Sequence, residues 1–184
     1  MDRKKTDLSS FSNSWYRPGA SFLKRALWYR FNGIFVCSRF PFSGFKVFLL
    51  RLFGAQIGKG VVIKPSVNIK SPWLLEIGDH SWIGEHAWID NLVKVKIGPD
   101  VCISQGAMLL TGNHDFTKSS FDLITGEITL EEGVWIGAKS VVCPGVICRS
   151  HSVLSVGSVA SAEMEAYSIY RGNPAVKVKE RIIS

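Results

Sequence analysis

"IGDHSWIGEHAWID", residues 77–90, sets the period of the chain: Ile77, Ile83 and Ile89 fall six apart, and the first two are each followed by glycine. Outward from there, aliphatics keep the phase at Ile57, Ile63 and Ile69, then at Ile97, Ile103 and Leu109. After a gap they resume at Leu130, Ile136, Val142, Cys148 and Leu154. Four positions beyond most of them sits a second small or β-branched residue: Val61, Val67, Ser81, Ala87, Val93, Val101, Ala107, Val134, Ser140, Val146, Ser152 and Ser158. A helix repeats every 3.6 residues and a half-buried strand every two, so neither yields this double register. A triangular coil does: each six-residue side is a short strand that points its aliphatic inward, turns at a tight corner and stacks on its neighbour. The series starting at Ile57, Ile77 and Ile97 are offset by 20 residues, three sides plus a two-residue corner extension ("LE" before Ile77, "VK" before Ile97). Such insertions leave the inward ladder intact. A sandwich of ordinary strands would not hold a six-residue phase for so long. The glycines are expected at corners that need unusual backbone angles.

The 184 residues, 46% of them hydrophobic, suffice for one domain with a sizeable core and a short appended segment. Charge is uneven. Residues 1–59 hold 11 of the 22 Lys and Arg but only Asp2 and Asp7 of the 15 acids, a net +9, whereas residues 60–184 hold 11 cations and 13 acids, a net −2. A basic patch of this kind attracts phosphate charge, on nucleic acid, anionic lipid or a phosphorylated substrate, and does not choose among them. Cys37, Cys102, Cys143 and Cys148 are scattered without a CxxC, which suits reduced thiols in a cytoplasmic setting better than disulfides or zinc. "MDRKKTDLSS" (1–10) leads to no apolar signal region. The most apolar stretch, residues 30–54, is broken by Arg39, Pro41, Lys46 and Arg51, short of the roughly 18 apolar residues of a spanning helix.

Three segments follow: a basic amphipathic helical segment (1–56), a β-helix (57–174) interrupted at 115–129, and a C-terminal piece (175–184). In 21–36, Leu23, Ala26, Leu27, Phe31 and Ile34 fall on one side at helical spacing, and Phe45, Phe48, Leu49 and Leu52 repeat the arrangement. These helices are expected to cap the open end of the coil, with a basic, aromatic surface left to rest on a membrane. "NPAVKVKERIIS" (173–184) is expected to form a short basic helix after Pro174.

With the hexads, "SQGAMLLTGNHDF" (104–116), "GVWIGAKSVVCPGV" (133–146) and "RGNPAVKV" (171–178), residues 57–181 resemble the left-handed β-helix, hexapeptide-repeat acyltransferases that use acetyl-CoA. Residues 40–79 extend the likeness to the colanic acid biosynthesis acetyltransferases, a branch associated with bacterial exopolysaccharide. The resemblance implies a homotrimer that moves acetyl from acetyl-CoA to a sugar hydroxyl, with His114 as general base. Chemistry agrees: a sugar hydroxyl is a poor nucleophile at neutral pH, and imidazole titrates close enough to accept its proton. Without the resemblance, "GNHD" is also good turn chemistry. Asp115 either orients the imidazole or shapes the turn, and Asp90 and Asn91 either bind the acceptor or serve their corner. The resemblance places coenzyme contacts at Trp135, Ala138, Val156, Ser161 and Lys179. The chain departs from the family pattern at "SAEME" (161–165), where Ala162 replaces a lysine, and at Val176, which replaces a basic residue; Lys177, Lys179 and Arg181 are the substitutes at hand.

No metal and no nucleic acid are expected. A related β-helix family holds zinc through histidines, but His80 and His86 lie on successive sides of one coil and His151 on a later one. No Ser or Cys sits beside a base, so transfer is expected to be direct. The 115–129 segment is expected to extrude beside His114 and cover the site between subunits, anchored by Phe116 and Phe121. The acceptor is expected to be a sugar or lipid-linked saccharide at the inner face of a membrane. A free sugar or antibiotic acceptor, and a non-catalytic scaffold, are the alternatives.

Overall fold

The computed structural model describes residues 4–184; residues 1–3 of the N-terminal segment lie outside the described residues. Short strands pair in parallel, coil upon coil, into three faces. The first face stacks Gln56–Ile57, Leu75–Ile77, Val95–Ile97, Ile128–Leu130 and Ile147–Cys148. The second stacks Val62–Ile63, Trp82–Ile83, Cys102–Ile103, Trp135–Ile136 and Val153–Leu154, and the third Asn68–Ile69, Trp88–Asp90, Met108–Leu110, Val141–Val142 and Val159–Ala160. The register is that of the hexads: Ile57 lies opposite Ile77 and Ile77 opposite Ile97, with Ile63, Ile83 and Ile103 aligned likewise. The chain is a left-handed parallel β-helix. Its inward column on the second face, Ile63, Ile83, Ile103, Ile136 and Leu154, is at most 1% exposed. Each such side chain contributes roughly 1.5–3 kcal/mol by burial.

Corners are turned by left-handed residues. Ser66, His80, His86, Asp100, Lys139 and His151 take φ between 54 and 60°, and Gly60 and Gly133 take the same role. A Cβ on Gly60 would lie 2.5 Å from His80 Nδ1, so these glycines are fixed both by angle and by the histidine stacked on them. The glycines that follow the aliphatics have another cause. Gly78 has no positive φ; a Cβ there would lie 2.6 Å from the carbonyl carbon of Gly98, so close stacking of coils requires it, not the unusual angle expected.

Two elements differ from expectation. Residues 175–184 form no helix: Ala175–Glu180 is a strand antiparallel to Ser168–Gly172 at the end of the second face. Val176 and Val178 alternate with Lys177 and Lys179, a strand period, and the open sheet edge supplies backbone partners. The 115–129 interruption is built on a hairpin, Gly112–His114 against Leu123–Thr125, and the first face resumes at Ile128.

The N-terminal helices, α1 (Phe22–Phe31, continued by a π turn at Asn32–Val36) and α2 (Ser43–Leu52), do cover the first coil. Ser21 starts α1 by accepting the Lys24 N–H through its hydroxyl. Apart from Phe31 and Leu49, the buried side of both helices is not the expected apolar stripe. Leu23, Leu27, Ile34, Phe45, Phe48 and Leu52 are exposed, while Trp28, Asn32, Val36, Lys46, Val47, Leu49 and Leu50 are buried. An uncovered coil presents backbone carbonyls as well as apolar edge, and buried carbonyls demand donors. Trp28 Nε1 donates to Ile69 O at 2.8 Å, and Lys46 Nζ donates to Lys64 O at 2.8 Å. Burial lowers the pKa of Lys46. No helix among the described residues is long and apolar enough to cross a membrane.

Candidate active site

His114 ends the first hairpin strand, where the chain leaves the edge between the third and first faces. Its Nδ1 lies 2.9 Å from the carbonyl oxygen of Phe121. A carbonyl only accepts, so Nδ1 carries a proton, and in the neutral ring Nε2 is the nitrogen left with the lone pair. The imidazole is stacked on the Phe121 ring, centroids 4.5 Å apart and 9° from parallel, and Phe11 tilts against it at 5.7 Å. Phe121 has φ +51°, a left-handed conformation costing a bulky residue roughly 1–2 kcal/mol. That cost falls on the residue that orients His114, through both carbonyl and ring.

Asp115 does not orient the imidazole. Its carboxylate accepts from the N–H and hydroxyl of Thr117, which hold its pKa below the usual carboxylate range, and so it shapes the turn. Phe116, expected as an anchor, is 80% exposed, whereas Phe121 packs on His114.

His114 opens on a cavity of about 390 Å³ lined by Asn113, Leu123, Lys70, Asp90 and Leu92, with Phe11, Asn13 and Tyr16 as a wall from the N-terminal segment. Nothing local in the sequence marks that wall. The N-terminal segment is strapped over the site by three bonds: Asp7 N–H to Ser119 O (2.8 Å), Tyr16 hydroxyl to Leu92 O (2.8 Å) and Trp73 Nε1 to Pro18 O (2.7 Å). Asp90 faces the cavity, paired with Lys70 at 2.7 Å. Asn91 does not. Its fully buried carboxamide is used by Ser71, accepting from its N–H at 2.9 Å and donating to its carbonyl at 2.6 Å, so the side chain clamps adjacent coils.

The coenzyme positions lie elsewhere on the chain. Trp135 stands on the second face, its Nε1 donating to Ser104 Oγ at 2.9 Å. Ala138 and Val156 follow on the edge between the second and third faces, joined through Gly157 N–H and Ala138 O at 2.9 Å. Ser161 lies past the third face, on the same edge as His114 but on a later coil; Lys179 is on the terminal strand. One chain therefore does not bring Trp135, Ala138 or Val156 to His114. Of the basic substitutes near the C-terminus, Lys177 is paired with Glu165 and Glu180, which raise its pKa, and Arg181 donates to the carbonyls of Gly133 and His151. Lys179 makes no ion pair among the described residues.

Burial pushes the Cys148 thiol up to about 12, and raises Cys102 and Cys143 as well, so these thiols stay protonated and are poor nucleophiles. Among the described residues no three His, Cys, Asp or Glu side chains cluster as metal ligands would. His80 and His151 turn corners on one edge and His86 on another.

No protein-family model matches the chain. It is 38% identical over 177 residues to the "Putative colanic acid biosynthesis acetyltransferase WcaF" of Escherichia coli K12, covering 96% of this chain and 97% of that protein. It is 25% identical over 135 residues to the galactoside O-acetyltransferase of the same organism, covering 72% and 66%. A hexapeptide-repeat acetyltransferase from Vibrio cholerae, solved with acetyl coenzyme A, superposes with a TM-score of 0.80 at 22% identity over 90% of this chain and 92% of that one, a likeness of fold. Similarity along nearly the whole chain, on the same coil, decides the matter: the chain belongs to the hexapeptide-repeat acetyltransferases, in the branch of the colanic acid biosynthesis acetyltransferases.

Proposed function

We propose that the chain is an acetyl-CoA-dependent O-acetyltransferase of a sugar hydroxyl in exopolysaccharide assembly, with His114 as general base. The observation that carries this is the His114 imidazole, held by Phe121 O with Nε2 free, on a residue that lines a 390 Å³ cavity. Acetyl-CoA supplies the acetyl group as a thioester. His114 Nε2 accepts the proton of the acceptor hydroxyl as that oxygen attacks, help typically worth about 10²–10⁴-fold. Asp90 and Lys70, on the cavity wall, offer an acceptor and a donor to neighbouring sugar hydroxyls. Cys102, Cys143 and Cys148, whose thiols are held protonated, offer no covalent alternative, which favours direct transfer.

Trp135, Ala138, Val156, Ser161 and Lys179 are the residues that would hold the coenzyme. The edge fits close approach of a chain-like ligand: Val156 is 71% exposed, and a Cβ on Gly157 would meet nothing within 4 Å. Since Trp135, Ala138 and Val156 lie away from the edge that carries His114, the complete site forms between subunits, which supports a homotrimer. Phe116, bare at the hairpin, then packs on a neighbour.

The helical segment rests on an anionic membrane at its cytoplasmic face. Phe35, Phe40, Phe42, Phe45 and Phe48 form one ring cluster, linked at 5.2–6.3 Å, in a segment that also carries the exposed Arg30 and Arg39. Aromatic rings beside cations match an acidic lipid interface, and that location suits a lipid-linked saccharide acceptor.

The test is CoA release with purified protein, acetyl-CoA and a panel of sugar acceptors. Acceptor-dependent thiol release is expected. A folded protein that releases no CoA with any acceptor overturns the enzymatic reading and leaves a scaffold.

A further inference from the structure

A second cavity, of about 360 Å³, adjoins the one at His114 and shares Tyr16, Lys70, Asp90 and Leu92 with it. The two are one cleft that runs from the hairpin to α1 and its π turn, where Arg25, Trp28, Tyr29 and Asn32 form the far end. Each half is near the lower limit of ligand pockets, roughly 300–1,000 Å³, and so suits one small ring rather than a large ligand.

Two features of the far half call for a ligand. Asn32 is 91% buried at 9% exposure; its Nδ2 donates to Asn68 Oδ1 at 2.8 Å, but its Oδ1 has no partner. Leaving a buried acceptor unpaired costs about 1–3 kcal/mol, which a ligand hydroxyl would relieve. In the same lining, Trp88 points outward from its strand and presents its ring to the cavity, 39% exposed. An aromatic face next to an unpaired carboxamide oxygen matches a pyranose, which has an apolar C–H face and a rim of hydroxyl donors. A diphosphate does not match: the cations here are Arg25 and Lys70, and Lys70 is already neutralised by Asp90.

Resting on the reading of the His114 cavity as the acceptor site, we propose that the far half is a second sugar subsite, and that the natural acceptor is a saccharide of at least two units. The unit to be acetylated lies at His114, the adjoining unit stacks on Trp88 and donates a hydroxyl to Asn32 Oδ1, and the Lys70–Asp90 pair stands where the two halves meet.

The test is direct binding, by calorimetry or saturation-transfer NMR, of disaccharides and their constituent monosaccharides drawn from hexoses, 6-deoxyhexoses and hexuronic acids. At least one disaccharide is expected to bind about ten-fold or more tightly than either of its units, the size that one hydrogen bond and one aromatic platform supply. Trp88→Ala and Asn32→Leu should each abolish that margin and leave the better monosaccharide within about two-fold, since neither residue touches the His114 half. The proposal is overturned if no disaccharide outbinds its better unit, or if both variants weaken the two ligands equally. His114→Ala should lose turnover and still keep the margin of the disaccharide over its better unit. A failure of the base assignment therefore shows in turnover alone, while a failure of the second subsite shows in binding.

Discussion

Gly126 closes the base of the hairpin that carries His114. Its N–H donates to Thr111 O at 2.9 Å, and Leu123, three residues earlier, is registered against His114. A Cβ at 126 would lie 2.8 Å from Gly145 Cα and 2.9 Å from the Pro144 carbonyl carbon, both backbone atoms of the next corner that no rotamer change can clear. Carbon atoms at rest sit about 3.5–4.0 Å apart, so Gly126→Ala must lift the hairpin base by roughly 1 Å. Overpacking of that kind costs about 1–3 kcal/mol, which for a chain of this length lowers Tm by roughly 2–12 °C. The same shift moves His114 relative to the cleft, and a misplacement of about 1 Å can cost about 10²-fold in turnover. The assay is kcat/KM beside thermal melting, with Gly44→Ala as control, where the added Cβ meets nothing within 4 Å. A Gly126→Ala protein with unchanged Tm and full turnover would refute the claim that this contact sets the position of the base.

Asp115→Asn should change kcat/KM by less than about three-fold, roughly 0.5 kcal/mol, because the carboxylate serves Thr117 and not His114; a hundred-fold loss would restore it as the orienting group. Burial works to raise the Glu131 carboxyl, but bonds from Ser150 N–H, its hydroxyl and Arg149 outweigh it and hold the pKa below the usual range. A lowered acid stabilises above its unfolded value and loses that contribution as pH falls through its folded one. The stability gap between wild type and Glu131→Gln should therefore be widest at neutral pH, about 1–3 kcal/mol, and narrow as pH falls below the usual carboxylate range; a gap constant with pH would contradict this. Phe45→Ser with Phe48→Ser should lose about ten-fold or more of sedimentation with phosphatidylglycerol vesicles. Unaltered binding, or equal binding to neutral phosphatidylcholine, would remove the membrane from the account.

The solenoid was legible because its constraint is local and repeated: Ile63, Ile83 and Ile103 each state the same period, and one face follows from any of them. The ends were not, because a solenoid end must satisfy backbone as well as bury side chains. Lys46 and Trp28 are buried for the carbonyls of Lys64 and Ile69, a demand that helical periodicity does not carry. At the other end Pro174 pointed to a helix start, while the alternation of Val176 and Val178 fitted the strand that an open edge selects. The motif around His114 stood out, and its place on the hairpin follows from the break in phase. Its orienting carbonyl on Phe121 and the wall formed by Phe11 and Tyr16 come from a turn and a distant strap with no spacing of their own. Asn91 shows the converse: a polar corner residue in a suggestive place, whose hydrogen bonds are used up by Ser71.

The central claim is that His114 Nε2 takes the proton of the acceptor hydroxyl, and kcat/KM of His114→Ala beside wild type, with the best acceptor, tests it most directly. The variant, still folded and still able to bind acetyl-CoA, should fall by about 10²–10⁴-fold. A His114→Ala enzyme that keeps full activity would contradict the account.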